Sequence, residues 1–174
     1  MELLNSLVGQ INDILWSYVL IILLIGAGII FTIRTKFVQI RFIKEMIRLI
    51  AGDAGNKMEG QQISSFQAFC VSTASRVGVG NIAGIAIAVV LGGPGAIFWM
   101  WIIAILGSAT GFVESTLAQI YKVPRTDSNG YLGGPAYYIN NALHSPKTAV
   151  FFAILISITY GLIFNSVQSN TISL

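Results

Sequence analysis

The chain has 174 residues, 55 % of them hydrophobic and 10 % charged, with a formal net charge of +3. A soluble domain carries roughly 25 % charged residues, so the charges here are too few to cover a water-exposed surface. A soluble globular domain, a disordered chain and a secreted disulfide scaffold are set aside on that ground. The apolar residues fall in runs long enough to cross a bilayer, which predicts an all-α integral membrane protein.

The first run, Leu15 to Ile33, holds no charged residue and at 1.5 Å per residue reaches about 28 Å, close to the hydrocarbon thickness of a bilayer. Trp16 and Tyr18 stand at its start, where aromatic belts form, and Arg34 and Lys36 close it. The segment before it holds Glu2 and Asp13 and no Lys or Arg, the opposite of a basic leader, so no cleavable signal peptide is expected. Residues 36–50, KFVQIRFIKEMIRLI, put Lys36, Arg41, Lys44, Glu45 and Arg48 on one side of a helix. Ile40, Ile43, Met46, Ile47 and Ile50 fall on the other. This predicts an amphipathic helix with a basic face at the membrane surface, a calmodulin-type partner helix being the alternative. Residues 51–65 are polar and glycine-containing and read as a connector in water.

The second run, Phe66 to Val90, is interrupted at Gly78-Val79-Gly80-Asn81. Residues 91–95, LGGPG, form a tight turn, because Pro94 cannot continue a helix. The third run, Phe98 to Tyr121, carries Gly107, Gly111 and Ser115 at a spacing of four, the pattern of close helix packing in lipid. Residues 122–147, with Pro124, Pro135 and Pro146, read as a polar loop with a Gly-Gly-Pro turn. The fourth run starts near Thr148 and is still running at Leu174. The expectation is one transmembrane domain, 1–174, that is the front part of something longer and is cut within its fourth membrane helix.

Arg34, Lys36, Arg41, Lys44, Arg48 and Lys57 follow the first run, no basic residue precedes it, and Lys122, Arg125 and Lys147 lie between the third and fourth. Basic residues that flank spans set orientation, so the chain is not read as a nucleic-acid binder. Its N-terminus is placed outside and both long loops in the cytoplasm. Cys70 and His144 are the only residues of their kinds, which excludes an internal disulfide, a cysteine metal cluster and a His-rich metal site. They read as a small buried hydrophobe and a solvated loop residue.

The break at 78–81 carries the most information about function. Glycine lowers helix stability by about 1 kcal/mol relative to alanine, and unwound backbone in lipid leaves polar groups unpaired at several kcal/mol each. Such a break persists where it is buried in protein or lines a cavity. There, freed carbonyls bind a cation, and the N–H groups of Asn81, Ile82 and Ala83, opening the second half-helix, hold a carboxylate. The alternative is that Gly78, Gly80 and Gly84 only let a neighbouring helix approach. Arg76 lies near the midplane, where an arginine costs about 3 kcal/mol or more and faces a cavity or a partner. Glu114 falls on the side of the third run that carries Gly107 and Gly111, and either packs there or reaches back to the interface. Their depths differ by about 5 Å at 1.5 Å per residue, so an Arg76–Glu114 ion pair is expected. Asn165, Gln168, Ser169 and Asn170 put polar groups into the fourth run, for a site or for interhelical hydrogen bonds.

Residues 75–107, SRVGVGNIAGIAIAVVLGGPGAIFWMWIIAILG, resemble the hallmark region of the sodium:alanine symporter family, with 92–107 the most specific part. NGYLGGPAYYINNAL at 129–143 and NSVQSN at 165–170 resemble two further family blocks. The resemblance implies an inverted-repeat, sodium-coupled transporter fold with one extra helix in front, in which 66–90 is the broken first core helix. It further implies that Gly78, Val79, Gly80 and Asn81 cradle the substrate carboxylate, that the Ala74 and Val77 carbonyls contribute to a sodium site, and that Gln168 contacts the amino acid. Many members have Thr where this chain has Val79, so a hydroxyl beside the site is lost.

The resulting expectation is a secondary transporter of a prokaryotic plasma membrane, not an enzyme. It would move a small neutral amino acid, alanine or glycine, together with sodium by alternating access. A channel with the break as its filter, and a non-transporting scaffold, are the rival readings. A transporter saturates and requires sodium, whereas a channel passes current without a turnover limit.

Overall fold

The computed structural model describes residues 2–52, 63–126 and 130–173. Most of the connector read at 51–65, including Lys57, and Asn129 of the second family block lie outside the described residues, as does Leu174. The chain is helical apart from one small hairpin among the described residues.

α1 (Glu2–Ile14), a π-helical turn (Leu15–Val19) and α2 (Leu20–Arg34) follow one another without a break, so helix begins well before the uncharged run at Leu15. The stretch Asn5–Arg34 is long and apolar enough to cross a membrane. Lys36 and Phe37 then adopt left-handed backbone, each with φ of 54°, and the chain turns sharply. The amphipathic segment is not one helix. It is α3 (Val38–Arg41) and α4 (Ile43–Gly52), divided at Phe42, whose φ of −103° and ψ of 11° leave the helical region. The cause lies upstream. The left-handed turn aims α3 back at α7, where Val38 is buried, and the chain must bend again to leave that contact.

α5 (Ser65–Ala74) opens with a reciprocal cap. The Gln67 N–H donates to Ser64 Oγ at 3.2 Å, and the Ser64 N–H donates to Gln67 Oε1 at 3.1 Å; both donors would otherwise lack a helical acceptor. A 3₁₀ turn (Val79–Asn81) and α6 (Ala83–Gly92) follow, and the axes on either side of the break differ by 85°. Gly93, at φ 62°, makes the turn into α7 (Pro94–Ile120), with Pro94 in the first helical turn, where no N–H is needed.

The polar stretch 122–147 is more ordered than a loop. β1 (Val123–Pro124) pairs antiparallel with β2 (Tyr131–Leu132), and a Cβ at Gly133 would stand 2.8 Å from the Ala118 carbonyl oxygen, so the hairpin lies directly on the end of α7. α8 (Pro135–Leu143) follows Gly134, at φ 121°, and ends on left-handed His144. α9 (Pro146–Ile158), a second π turn (Thr159–Ile163) and α10 (Phe164–Ser173) complete the described chain. Pro94–Ile120 and Pro146–Ser173 are also long and apolar enough to span, and the bent pair α5–α6 is a broken span or a re-entrant loop.

α2 packs along α7, with Ala109 fully buried and Thr32 nearly so. A Cβ at Gly28 would stand 2.9 Å from Leu106 Cβ, so this glycine sets how closely the two helices approach. The small-residue row expected to pack on α7 is not that contact, since a Cβ at Gly107 or Gly111 would meet nothing within 4 Å. Spacing marks a face of the helix, whereas the contact is set by where α2 lies, over Leu106 and Ala109. Most large apolar side chains on the spans are exposed, which suits surfaces turned to lipid.

Candidate functional site

α5 ends where its last carbonyls run out of donors. The Ser75 N–H reaches the Val71 carbonyl at 3.0 Å and the Arg76 N–H reaches the Thr73 carbonyl at 3.1 Å, which tightens the final turn. The helix is therefore already lost at Ser75, earlier than the glycines alone suggest. Gly78 is extended (φ −136°, ψ 176°). The chain then re-enters helix through the 3₁₀ turn, in which the Asn81 N–H donates to the Gly78 carbonyl and the Ile82 N–H to the Val79 carbonyl, both at 3.0 Å.

That pairing corrects the expectation for two of the three anion-holding amides, while the Ala83 N–H makes no backbone hydrogen bond among the described residues. The N–H groups of Asn81 and Ile82 are spent inside the turn. The N–H groups of Val77, Gly78, Val79 and Gly80 make no hydrogen bond to another described residue. Four consecutive free donors thus lie one step before the positions assigned from the start of the second half-helix. The carbonyls of Ala74 and Val77 likewise accept no backbone hydrogen bond among the described residues. Asn81 uses its side chain to brace the break, donating from Nδ2 to the Arg76 carbonyl at 2.8 Å.

These residues wall a cavity of about 650 Å³ between the broken helix and the fourth span, within the range of about 300–1,000 Å³ usual for small-molecule sites. Residues 75–81, with Ala83, Gly84 and Ile87, form one side. Tyr160, Phe164, Val167, Gln168 and Thr171 form the other. Ala74 falls just outside the wall, as the last residue of α5. The two sides touch at Gly78, where a Cβ would stand 3.4 Å from Gln168 Nε2, so Gln168 presents its amide to the unwound backbone. A Cβ at Gly80 would meet nothing within 4 Å, which makes this glycine a source of open space. Tyr160 and Phe164 stack with ring centroids 5.0 Å apart, across the π turn that leads into α10. The π turn was not visible in the composition; it rotates the residues after it relative to a straight α-helix.

Arg76 lines the cavity, and among the described residues no acidic side chain shares its wall. The expected Arg76–Glu114 ion pair is not formed among the described residues, where the recorded pair is Glu45–Arg48 at 2.7 Å. The 85° bend explains this, because it turns the break toward α10, and Glu114 is exposed on α7. Glu114 acts instead toward α8. Burial raises the Tyr138 phenol above its ordinary value of 10.0, and the negative charge of Glu114 adds to that shift. Asn165, Ser169 and Asn170 lie on a separate polar groove of α10. Cys70 is exposed, not a buried small residue.

A model of the sodium:alanine symporter family matches residues 1–174. The chain is 58 % identical over 173 residues to the "Probable sodium/glutamine symporter GlnT" of Bacillus subtilis, which covers 99 % of this chain and 36 % of the relative. It is 52 % identical over 170 residues to the "Amino-acid carrier protein AlsT" of the same organism (97 % of this chain, 35 % of the relative). It is 38 % identical over 173 residues to the "Sodium/alanine symporter AgcS" of Methanococcus maripaludis (97 % and 38 %). The chain therefore spans a little over a third of the length of these curated relatives. With the family match covering every residue, the chain belongs to the sodium:alanine symporter family, a family of transporters rather than enzymes.

Proposed function

We propose that this chain supplies the first part of the substrate and sodium sites of a sodium-coupled symporter for small neutral amino acids, alanine or glycine. The observation that carries this reading is the row of free N–H groups from Val77 to Gly80 on the wall of a cavity that Gln168 also lines. Those donors suit the α-carboxylate of an amino acid, whose charge is better held by several fixed N–H groups than by one. Gln168 both donates and accepts and orients the bound molecule. Val79 offers no hydroxyl and so gives shape only. The free carbonyls of Ala74 and Val77 are hard oxygen ligands of the kind that sodium takes, in the manner of unwound transporter helices. The sodium gradient then drives transport by alternating access in a plasma membrane. The placement of the N-terminus outside rests on the basic residues that follow α2.

The test is uptake by a chimera in which residues 1–174 replace the matching segment of the Bacillus subtilis relative GlnT, expressed in cells that lack their own carriers. Labelled alanine, glycine and glutamine are offered in sodium and in choline; glutamine is included because of the name of that relative. Saturable uptake of alanine or glycine that vanishes in choline is expected. Uptake equal in the two salts contradicts sodium coupling, and current that does not saturate favours a channel.

A further inference from the structure

We propose that α3 and α4 form a docking surface for anionic phospholipid headgroups of the bilayer that holds α2. This goes beyond the substrate site and does not depend on it. The position is set by continuity, since α3 begins at Val38, just past Arg34 at the end of the first span. Val38 is buried where α3 meets α7, so the segment is fixed to the ends of two spans.

The chemistry of the surface has two parts. Ile43, Met46 and Ile47 form an apolar stripe on α4 that stays exposed, Ile47 at 62 %. Lys36, Arg41 and Lys44 are exposed and make no ion pair among the described residues. The acid of this segment, Glu45, is already engaged by Arg48. The local charge facing outward is therefore positive, next to apolar side chains that must leave water. An interface of acyl chains topped by anionic headgroups satisfies both at once. The Arg41 guanidinium lies 4.6 Å over the Phe42 ring, at the bend between the two helices. α4 also packs on α5, so headgroups that hold α4 also hold the helix that leads into the break.

The probe is a bimane label on Ile47→Cys in the same chimera with its other cysteines replaced by serine, reconstituted in vesicles of mixed phosphatidylglycerol and phosphatidylcholine. Bromine is carried on the acyl chains of one lipid or the other at equal total bromine. Each basic side chain at such a surface favours anionic lipid by about fivefold, so brominated phosphatidylglycerol should quench at least several-fold better. The preference should disappear in Lys36→Gln/Arg41→Gln/Lys44→Gln and persist in Lys36→Arg/Lys44→Arg. Equal quenching by the two lipids in the parent overturns the proposal, as does a preference that survives the triple substitution. Absence of quenching by either lipid also overturns it, since the apolar stripe is then covered by protein.

Discussion

At Gly28 a Cβ would stand 2.9 Å from Leu106 Cβ and 3.3 Å from the Leu106 carbonyl oxygen, whereas at Gly80 it would meet nothing within 4 Å. Gly28 sits in a spanning helix and Gly80 in the 3₁₀ turn of the broken one, and the two surroundings use the missing side chain in opposite ways. Between α2 and α7 it allows contact, with Ala109 fully buried nearby. At the break it leaves a cavity and lets the backbone unwind beside Gln168. The first region is built to stay closed, and the second is built to accept something. The same substitution should therefore damage stability in one place and binding in the other.

The largest effect is expected from Gly80→Leu in the chimera. Its side chain fills the space beside the free N–H groups, so sodium-dependent uptake should fall to background while the thermal midpoint in detergent stays near that of the parent. Retained uptake would remove the site from the break. Gly28→Val should do the reverse. Overpacking a closed contact costs roughly 1–3 kcal/mol, read as a lower thermal midpoint, while Gly26→Val, in open space on the same helix, serves as the unaffected control. Equal losses for the two would mean that α2 and α7 separate easily.

Gln168→Ala should weaken amino acid affinity by about 1–2 kcal/mol, the worth of a hydrogen bond to a charged group, or roughly tenfold. Titration of binding in sodium measures it, and unchanged affinity would leave Gln168 with a packing role only. The smallest effect concerns pH. Because the Tyr138 pKa is raised in the folded chain, first by burial and then by Glu114, the neutral phenol contributes stability. That contribution is fully present below pH 10 and is lost as pH rises through the raised pKa. Tyr138→Phe should flatten the fall in thermal midpoint above pH 10, and an unaltered profile would show that Tyr138 does not titrate there.

The helical, membrane-type character of the chain was legible because it rests on composition and run length. The break was legible from Gly78, Gly80 and Arg76, residue types that lipid-facing helix tolerates poorly. Its exact hydrogen bonding was not, because the spending of the Asn81 and Ile82 donors in a 3₁₀ turn depends on the path of the backbone. Gly28 carries no readable signal, since it stands two residues from Gly26 and not at the spacing of three or four that marks a helix face. Gly107 and Gly111 attracted attention because they have that spacing, yet periodicity says which residues share a face and not what covers it. The Ser64-x-x-Gln67 cap is a readable helix start, hidden in a stretch that looked like a connector. The hairpin at 123–132 has strands of two residues, too short for any alternation to register. The approach of Gln168 to Gly78 is a contact between distant segments, and residue types alone do not report it.

The most direct measurement of the central claim is protection of a single thiol at the break. Val79→Cys in a chimera whose other cysteines are replaced by serine puts a thiol of similar size on the cavity wall, and Leu143→Cys, exposed at the end of α8, outside the spans and away from the cavity, provides the control. The account predicts that alanine and sodium together slow methanethiosulfonate labelling at position 79, that alanine in choline does not, and that labelling at position 143 is unchanged in both. A labelling rate at position 79 that is indifferent to alanine and sodium would contradict it.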